Sequence, residues 1–229
     1  MTNVLTEYDV RPPMLAVLAL LRSALASTAG NGARLTAQVA GGAVAGVSVV
    51  DGGEDYGEYV RVVFVGGGGS GAEAIAHVVA GAIDSVTLLS GGRSYTSAPQ
   101  VRVEPYVRSV YDNIPRVFSE SAPFVLAQYR GGEFADRLAY SEGTSRRFRA
   151  DYIVCQALAS ETETADQLTR EFVGVFLDLI KRNSELDGVT KHVSVLRDSV
   201  QTVPVNGAGN AAVTYLANVF SVEFEDSVL

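Results

Sequence analysis

The sequence predicts an α+β fold, in which helices pack on a four-stranded sheet, plus an inserted all-β lobe of two tandem repeats. An apolar helical pattern opens the chain, a glycine-rich segment with an internal period follows, and the remainder alternates strand-like and helix-like periodicity. These three observations predict a discontinuous domain, residues 1–32 and 106–229, interrupted by an inserted domain, residues 33–105.

Residues 10–28 have the pattern of a buried helix. Pro12 and Pro13 stand at its start, where a missing N–H group is tolerated. Leucines recur at helical spacing and other apolar residues widen the stripe, which predicts burial on more than one side. The apolar run is shorter than the ~20 residues of a membrane span, so no membrane association is expected.

Residues 33–105 repeat themselves at a constant offset of 39 residues. The aligned segments are Ala33–Val44 with Ala72–Ile83, and Gly46–Tyr56 with Ser85–Tyr95. Of the 23 glycines, 16 lie between Gly30 and Gly92, which places Gly-Gly punctuation between short Val-rich runs. This pattern predicts two β units of three short strands each, with copies at about 33–71 and 72–105.

Residues 106–229 predict four strands and one helix. The strands are expected at 123–129, at 148–158, at about 192–203 and at about 211–225. The helix lies between the second and third strands, and Thr164 and Gln167 have capping-box spacing at its start. Its apolar stripe consists of Leu168, Phe172, Val175, Phe176, Leu179 and Ile180. The stripe predicts a helix that packs on the sheet, and Gly188 is expected to end it.

No pattern in the chain assembles a nucleophile, a base and an orienting group, so we expect neither an enzyme nor a cofactor. The single cysteine, Cys155, lies in an apolar run and is expected to be a buried small hydrophobe. With one cysteine and two histidines, a Cys/His zinc site is not expected. The run Gly66–Gly71 fits G-x-G-x-x-G, but no helix and no correctly placed acidic residue follow it, so we interpret it as a turn.

Charge is distributed unevenly. The formal net charge is −8, which disfavours specific binding of nucleic acid but allows DNA to pass without sticking. An acidic group, Asp51, Glu54, Asp55 and Glu58, lies in the first repeat, where a calcium site is conceivable. The second repeat has Ser90, Arg93 and Ser94 opposite the first three, so the acidic group is not intrinsic to the repeated unit.

Two sets of residues are candidates for a subunit or partner interface. Arg146, Arg147 and Arg149 begin a strand, where they either keep an edge strand soluble or contact an acidic partner. The last strand has large apolar residues on both faces. Val213, Tyr215 and Val219 occupy one of them. The other face can pack under the helices, so we expect a neighbouring subunit to cover these three residues.

Two parts of the chain resemble phage proteins. The second repeat, with its glycine cluster followed by Gly91-Gly-Arg-Ser-Tyr-Thr-Ser-Ala-Pro99 and a Val-rich strand, resembles a Gly-rich β module of phage structural proteins. The first repeat departs from that pattern, with Gly57-Glu58-Tyr59 in place of the Ala-Pro step. The flanking domain resembles phage tail terminators in its order of elements: a first helix, Pro123–Leu126, an aromatic-rich second strand, the capped helix and a final β pair.

The second resemblance implies a ring, most simply a hexamer, that ends the tail tube and joins it to the head. Its implied partners are further copies of the chain, the tail-tube protein and the head–tail connector proteins. The implied location is the tail or neck of the virion, after synthesis in the host cytoplasm. Two alternatives remain at this stage: another connector, tail-tube or baseplate component, or a carbohydrate- or surface-binding module that would use Tyr56, Tyr59 and Tyr95 for stacking.

Overall fold

The computed structural model describes residues 11–26, 30–111, 123–134, 144–158, 162–206 and 212–228. The chain divides into two compact units, one formed by Met1–Leu21 with Val107–Leu229 and the other by Arg22–Tyr106. Strands make up 59% of the structure, so the fold is mostly β, and the predicted α+β class with helices packed on a four-stranded sheet is wrong. The strands run well past the apolar segments that predicted them, because ladder hydrogen bonds also hold polar residues in extended backbone.

Helical structure is limited to few segments of the described chain. Helix α1, Arg11–Leu21, continues as a π-helical turn, Arg22–Ala26. Val17, Leu18, Leu21 and Leu25 are buried, as expected from the stripe. Helix α2, Thr162–Arg182, is amphipathic, and a 3-10 turn follows at Leu186–Gly188.

The Arg22–Tyr106 unit, which we call the lobe, contains a six-stranded antiparallel sheet. Its strands are β1 Arg34–Ala40, β2 Ala43–Asp51, β3 Val60–Val65, β4 Ser70–Val79, β5 Ala82–Arg93 and β6 Gln100–Pro105. They lie in the order β2-β1-β6-β3-β4-β5, and the sheet is nearly closed and barrel-like. At the closure, Ile83 N donates a hydrogen bond of 2.9 Å to Gly52 O, joining the segments that carry β5 and β2.

The two repeats of the lobe are related by an approximate twofold axis. Tyr56 N donates to Gly81 O at 2.9 Å, and Tyr95 N donates to Gly42 O at the same distance. Both residues of one bond are thus offset by 39 from those of the other, with the repeats exchanged. Reciprocal contacts of this kind define an isologous arrangement. The β3–β6 pair at the centre of the sheet joins the two repeats.

Each repeat packs a tyrosine ring where a glycine lacks its side chain. A Cβ added to Gly30 would lie 2.5 Å from Cγ of Tyr56, and a Cβ added to Gly69 would lie 2.5 Å from Cγ of Tyr95. Both tyrosines are buried, at 8% and 5% exposure. The glycines of the repeat therefore do more than make turns: these two leave room for core aromatic rings.

We predict that Gly69→Ala destabilises the lobe by roughly 1–3 kcal/mol, since the added methyl overlaps the Tyr95 ring and overpacked cores cost about that much. Gly46→Ala is the matched control, because a Cβ there meets nothing within 4 Å. Chemical denaturation of both variants measures the difference. Equal stabilities would contradict the packing role of the glycine.

The other unit contains a five-stranded sheet. Its strands are β7 Ser109–Tyr111, β8 Phe124–Phe134, β9 Thr144–Leu158, β10 His192–Asn206 and β11 Ala212–Val228. They lie in the order β10-β11-β9-β8-β7, and β7 pairs with β8 in parallel while the other pairs are antiparallel. The four strands expected in this region all form, and β7 adds a fifth that its short sequence did not reveal.

Helix α2 packs on one face of this sheet, which we call the helix face. The ring of Phe176 stacks on Phe220 with centroids 4.0 Å apart, and Phe172 lies 5.9 Å from the same ring. On this face the hydroxyl of Tyr152 donates to the carbonyl of Met14 at 3.2 Å, which ties α1 to the sheet. The side chains of the capping-box pair, Thr164 and Gln167, lie outside the described part of the chain.

We predict that Phe172→Ala costs roughly 3–5 kcal/mol of folding free energy, the usual range for a fully buried ring, because its side chain is 0% exposed. Leu177→Ala on the same helix, where the leucine is 41% exposed, is the control and should cost far less. Denaturant titration of both variants tests this. A loss below about 1 kcal/mol for Phe172→Ala would mean that the stripe does not hold the helix to the sheet.

Candidate functional site

The face of the five-stranded sheet opposite α2 has an apolar half and a charged half. The apolar half consists of Phe124, Leu126, Ile153, Cys155, Tyr215, Ala217 and Val219. The charged half, which we call the charged face, consists of Arg130, Arg147, Arg149, Asp151, Lys191, Arg197, Ser221, Glu223 and Glu225. Alternation along β9 and β11 places both halves on one side of the sheet.

Cross-strand ion pairs connect β9 to β11 on the charged face. Arg149 lies opposite Glu223 in the register, and its Nε and Nη2 atoms are 3.0 and 2.9 Å from Oε2 of that residue. Arg147 lies opposite Glu225, with 3.5 Å between Nη2 and Oε2. Lys191 reaches the other oxygen of Glu225 at 3.9 Å. Directly opposed charges of unlike sign stabilise a strand pair modestly.

Asp151 is the buried anchor of the charged face. Its side chain is 6% exposed, and Arg130 Nε lies 2.6 Å from Oδ2. The hydroxyl of Ser221 donates to Oδ1 at 2.7 Å. Both carboxylate oxygens are therefore engaged, which lowers the cost of burying the charge. This arrangement positions Arg130 rather than leaving Asp151 free as a general base.

The cations lie outermost on the charged face. The arginine side chains are 50–59% exposed, whereas the three carboxylates beneath them are 6–27% exposed. Arg197, opposite Ser221 in the register, is also exposed. Five cations against three carboxylates give this face a charge of +2, on a chain whose net charge is −8. A surface of this kind attracts an acidic partner.

Arg147 and Arg149 lie on a central strand. Strand β9 pairs with β11 on one side and β8 on the other, so the interpretation of the arginines as protection of an edge strand is wrong. The backbone of Arg146 pairs with Asp226 and Phe134, and its side chain lies outside the described part of the chain. The alternative, a contact with an acidic partner, agrees with the exposure of the other two.

The apolar interface candidates are buried within a single chain. Tyr215 is 9% and Val219 3% exposed, and the ring of Phe124 meets that of Tyr215 edge-on at 5.3 Å. A neighbouring subunit is therefore not needed to bury these two side chains. The side chain of Val213 lies outside the described residues.

Sequence reasoning missed most of the charged face. It did not single out Arg130, Lys191, Arg197 or the carboxylates on β9 and β11. Arg149 and Glu223 are 74 residues apart in the chain. The one signal that could have found such pairs is the alternation of charge near the end of the last strand, Glu223 and Glu225, against Arg147 and Arg149.

Other residues that could bear chemistry are occupied by the fold. Burial raises the pKa of Cys155 to about 12, so its thiol is protonated near neutral pH. Burial, and then the neighbouring Cys155, raises the pKa of Tyr215. Within the described ranges, no cluster of three or more His, Cys, Asp or Glu side chains could hold a metal ion.

The aromatic residues considered for sugar binding are mostly enclosed in the lobe. Tyr56 and Tyr95 are buried against glycines, and the hydroxyl of Tyr56 accepts a hydrogen bond from Ala33 N at 3.2 Å. Stacking on a sugar requires an exposed ring face, which these two tyrosines do not offer.

No protein-family model and no curated protein sequence matches this chain. Among the described helices, none is long and apolar enough to cross a membrane.

We predict that Cys155 resists alkylation by iodoacetamide at pH 8 while the protein is folded. At that pH the thiolate fraction is roughly 1,000-fold lower than for a thiol at its ordinary pKa of 9.0, because each pKa unit is tenfold. A surface cysteine introduced by Ser85→Cys provides the reactive control, and mass spectrometry of the labelled peptides measures both. Rapid labelling of Cys155 without denaturant would contradict its enclosure. The same shift makes stability fall as pH rises from about 9 towards 12, because the unfolded chain loses the thiol proton first.

Proposed function

We propose that this protein is a structural component of a tailed-phage virion that assembles into a closed ring at the head-proximal end of the tail. In this role it stops growth of the tail tube and provides the surface that joins tail to head. Its partners are further copies of itself, the tail-tube protein and the head–tail connector proteins.

The observation that carries the proposal is the charged face, an exposed cationic surface on an acidic chain. Any second copy presents a net charge of −8, so this face favours contact with a different, acidic part of a neighbouring copy. Contacts between unlike surfaces are heterologous, and they close into a ring when the rotation per subunit divides the circle. A hexamer, as in the proteins that the flanking domain resembles, satisfies this condition.

The construction of the lobe supports a structural role. The residues that carry its resemblance to a phage module, the glycine cluster, Gly91-Gly92 and Tyr95, build its turns and core. In the described residues, the groups with the strongest chemical potential, Cys155 and Asp151, are likewise engaged in packing or ion pairing. A surplus of carboxylates suits a bore through which DNA passes without being held.

The proposal predicts a closed oligomer of defined copy number. Sedimentation velocity and native mass measurement, on the protein alone and mixed with tail-tube protein, should detect it, and electron microscopy should show single rings capping the ends of tubes. Many copies along the tube would instead indicate a tube or baseplate component. A chain that stays monomeric in both conditions, and binds no tube end, would falsify the ring.

A further inference from the structure

The first repeat of the lobe has an acidic corner, formed by Asp51, Glu54, Asp55 and Glu58. All four residues are exposed. Arg34 approaches Asp51 at 3.3 Å and offsets part of the charge. The hydrogen bond from Gly53 N–H, assisted by Arg34, lowers the pKa of Asp51. The corner is therefore a concentrated negative surface at neutral pH.

The fold does not require this charge. The positions 39 residues later hold Ser90, Arg93, Ser94 and Ser97. Nevertheless, the backbone at both corners is alike: φ is 61° at Asp55 and 64° at Ser94, and 66° at Gly53 and 64° at Gly92.

Even the hydrogen bond made by Asp51 has a neutral equivalent in the second repeat. Asp51 Oδ1 accepts from Gly53 N at 3.1 Å, and Ser90 Oγ accepts from Gly92 N at 3.2 Å. One corner of a nearly symmetric lobe is thus acidic for a reason other than folding. Surface charges that local structure does not need most often serve association.

The charged face on the other unit is the complementary surface. Its outermost groups are the half-exposed arginines Arg130, Arg147 and Arg149, together with the exposed Arg197. Each of the first three is already paired to a carboxylate of the same chain, and the face has a surplus of only two positive charges. Such a face is a weak site for nucleic acid, whose binding depends on many uncompensated cations. Guanidinium groups have five donors each, so they can bind a second carboxylate while keeping the first.

We infer that the acidic corner of one subunit docks on the charged face of the next subunit. This inference rests on the proposed ring and names its interface. The two surfaces are unlike and belong to different units of the chain, which makes the contact head-to-tail. Its occupant is a second copy of this chain, because the chain itself supplies both complementary charges.

Two variants test the interface. The corner variant, Asp51→Ser/Glu54→Arg/Asp55→Ser, gives the first repeat the residues of the second, a backbone that already accepts them. The face variant, Arg147→Glu/Arg197→Glu, reverses two outer cations. Each variant alone should associate about 100-fold more weakly than the natural chain, because like charges then meet across the contact. Asp84→Arg and Lys181→Glu, two exposed positions outside both surfaces, are the controls and should assemble normally.

Mixing the two variants gives the decisive measurement. In a mixture, the natural acidic corner of the face variant meets the natural charged face of the corner variant, and the altered corner and altered face again have opposite charges. We expect rings that contain both variants in equal number, detected by native mass measurement. A contact within one chain would show no such rescue. Circular dichroism checks that each variant is folded, and if the face variant is not, the corner variant and the salt dependence of the natural ring decide.

The outcomes separate this inference from the proposed function. A natural chain that forms no ring, with or without tube protein, overturns both. A natural ring together with unaffected corner and face variants overturns the interface and leaves the ring. Variants that are singly monomeric but fail to assemble when mixed also overturn the interface. So does a corner variant that forms rings but no longer binds tube ends, since the corner would then contact the tube protein.

Discussion

The antiparallel register between β9 and β11 decides which side chains meet on both faces of the five-stranded sheet. It runs from the Tyr215–Leu158 pair to the Val228–Thr144 pair. On the helix face it places Phe148 on Phe224, with ring centroids 4.8 Å apart. On the opposite face the same register aligns Arg149 with Glu223 and Asp151 with Ser221. A shift of one residue would exchange the two faces, expose the aromatic rings and bury the charges.

Packing and association thus use different faces of the same strands. The aromatic side chains on the helix face hold α2 and, through Tyr152, α1. The opposite face begins with the apolar group around Tyr215 and Cys155 and ends in the exposed arginines. Because Asp151 is held by both Arg130 and Ser221, the cationic surface is built on a rigid support rather than on freely rotating side chains. A preorganised surface loses less entropy when a partner binds.

The lobe separates what folding needs from what the surface presents. Its glycines and tyrosines satisfy the same contacts in both repeats, as the Gly30–Tyr56 and Gly69–Tyr95 pairs illustrate. The exposed residues at the equivalent corners differ in charge while the backbone is retained. Duplication followed by divergence of the surface alone would produce this combination, since core contacts tolerate little change in shape.

The sequence by itself determined the local structure. Glycines at a period of 39 residues place backbone of positive φ, and each copy forms three strands. The stripe with Phe172 and Phe176 likewise predicts an amphipathic helix, because both signals depend on neighbours within a few residues. The tertiary structure decided the rest: the mostly β class, the central position of β9, the burial of Tyr215 and the partner of each arginine. Strand order and register arise from pairing between segments far apart in the chain, such as Arg149 and Glu223, and local periodicity contains no information about which segments pair.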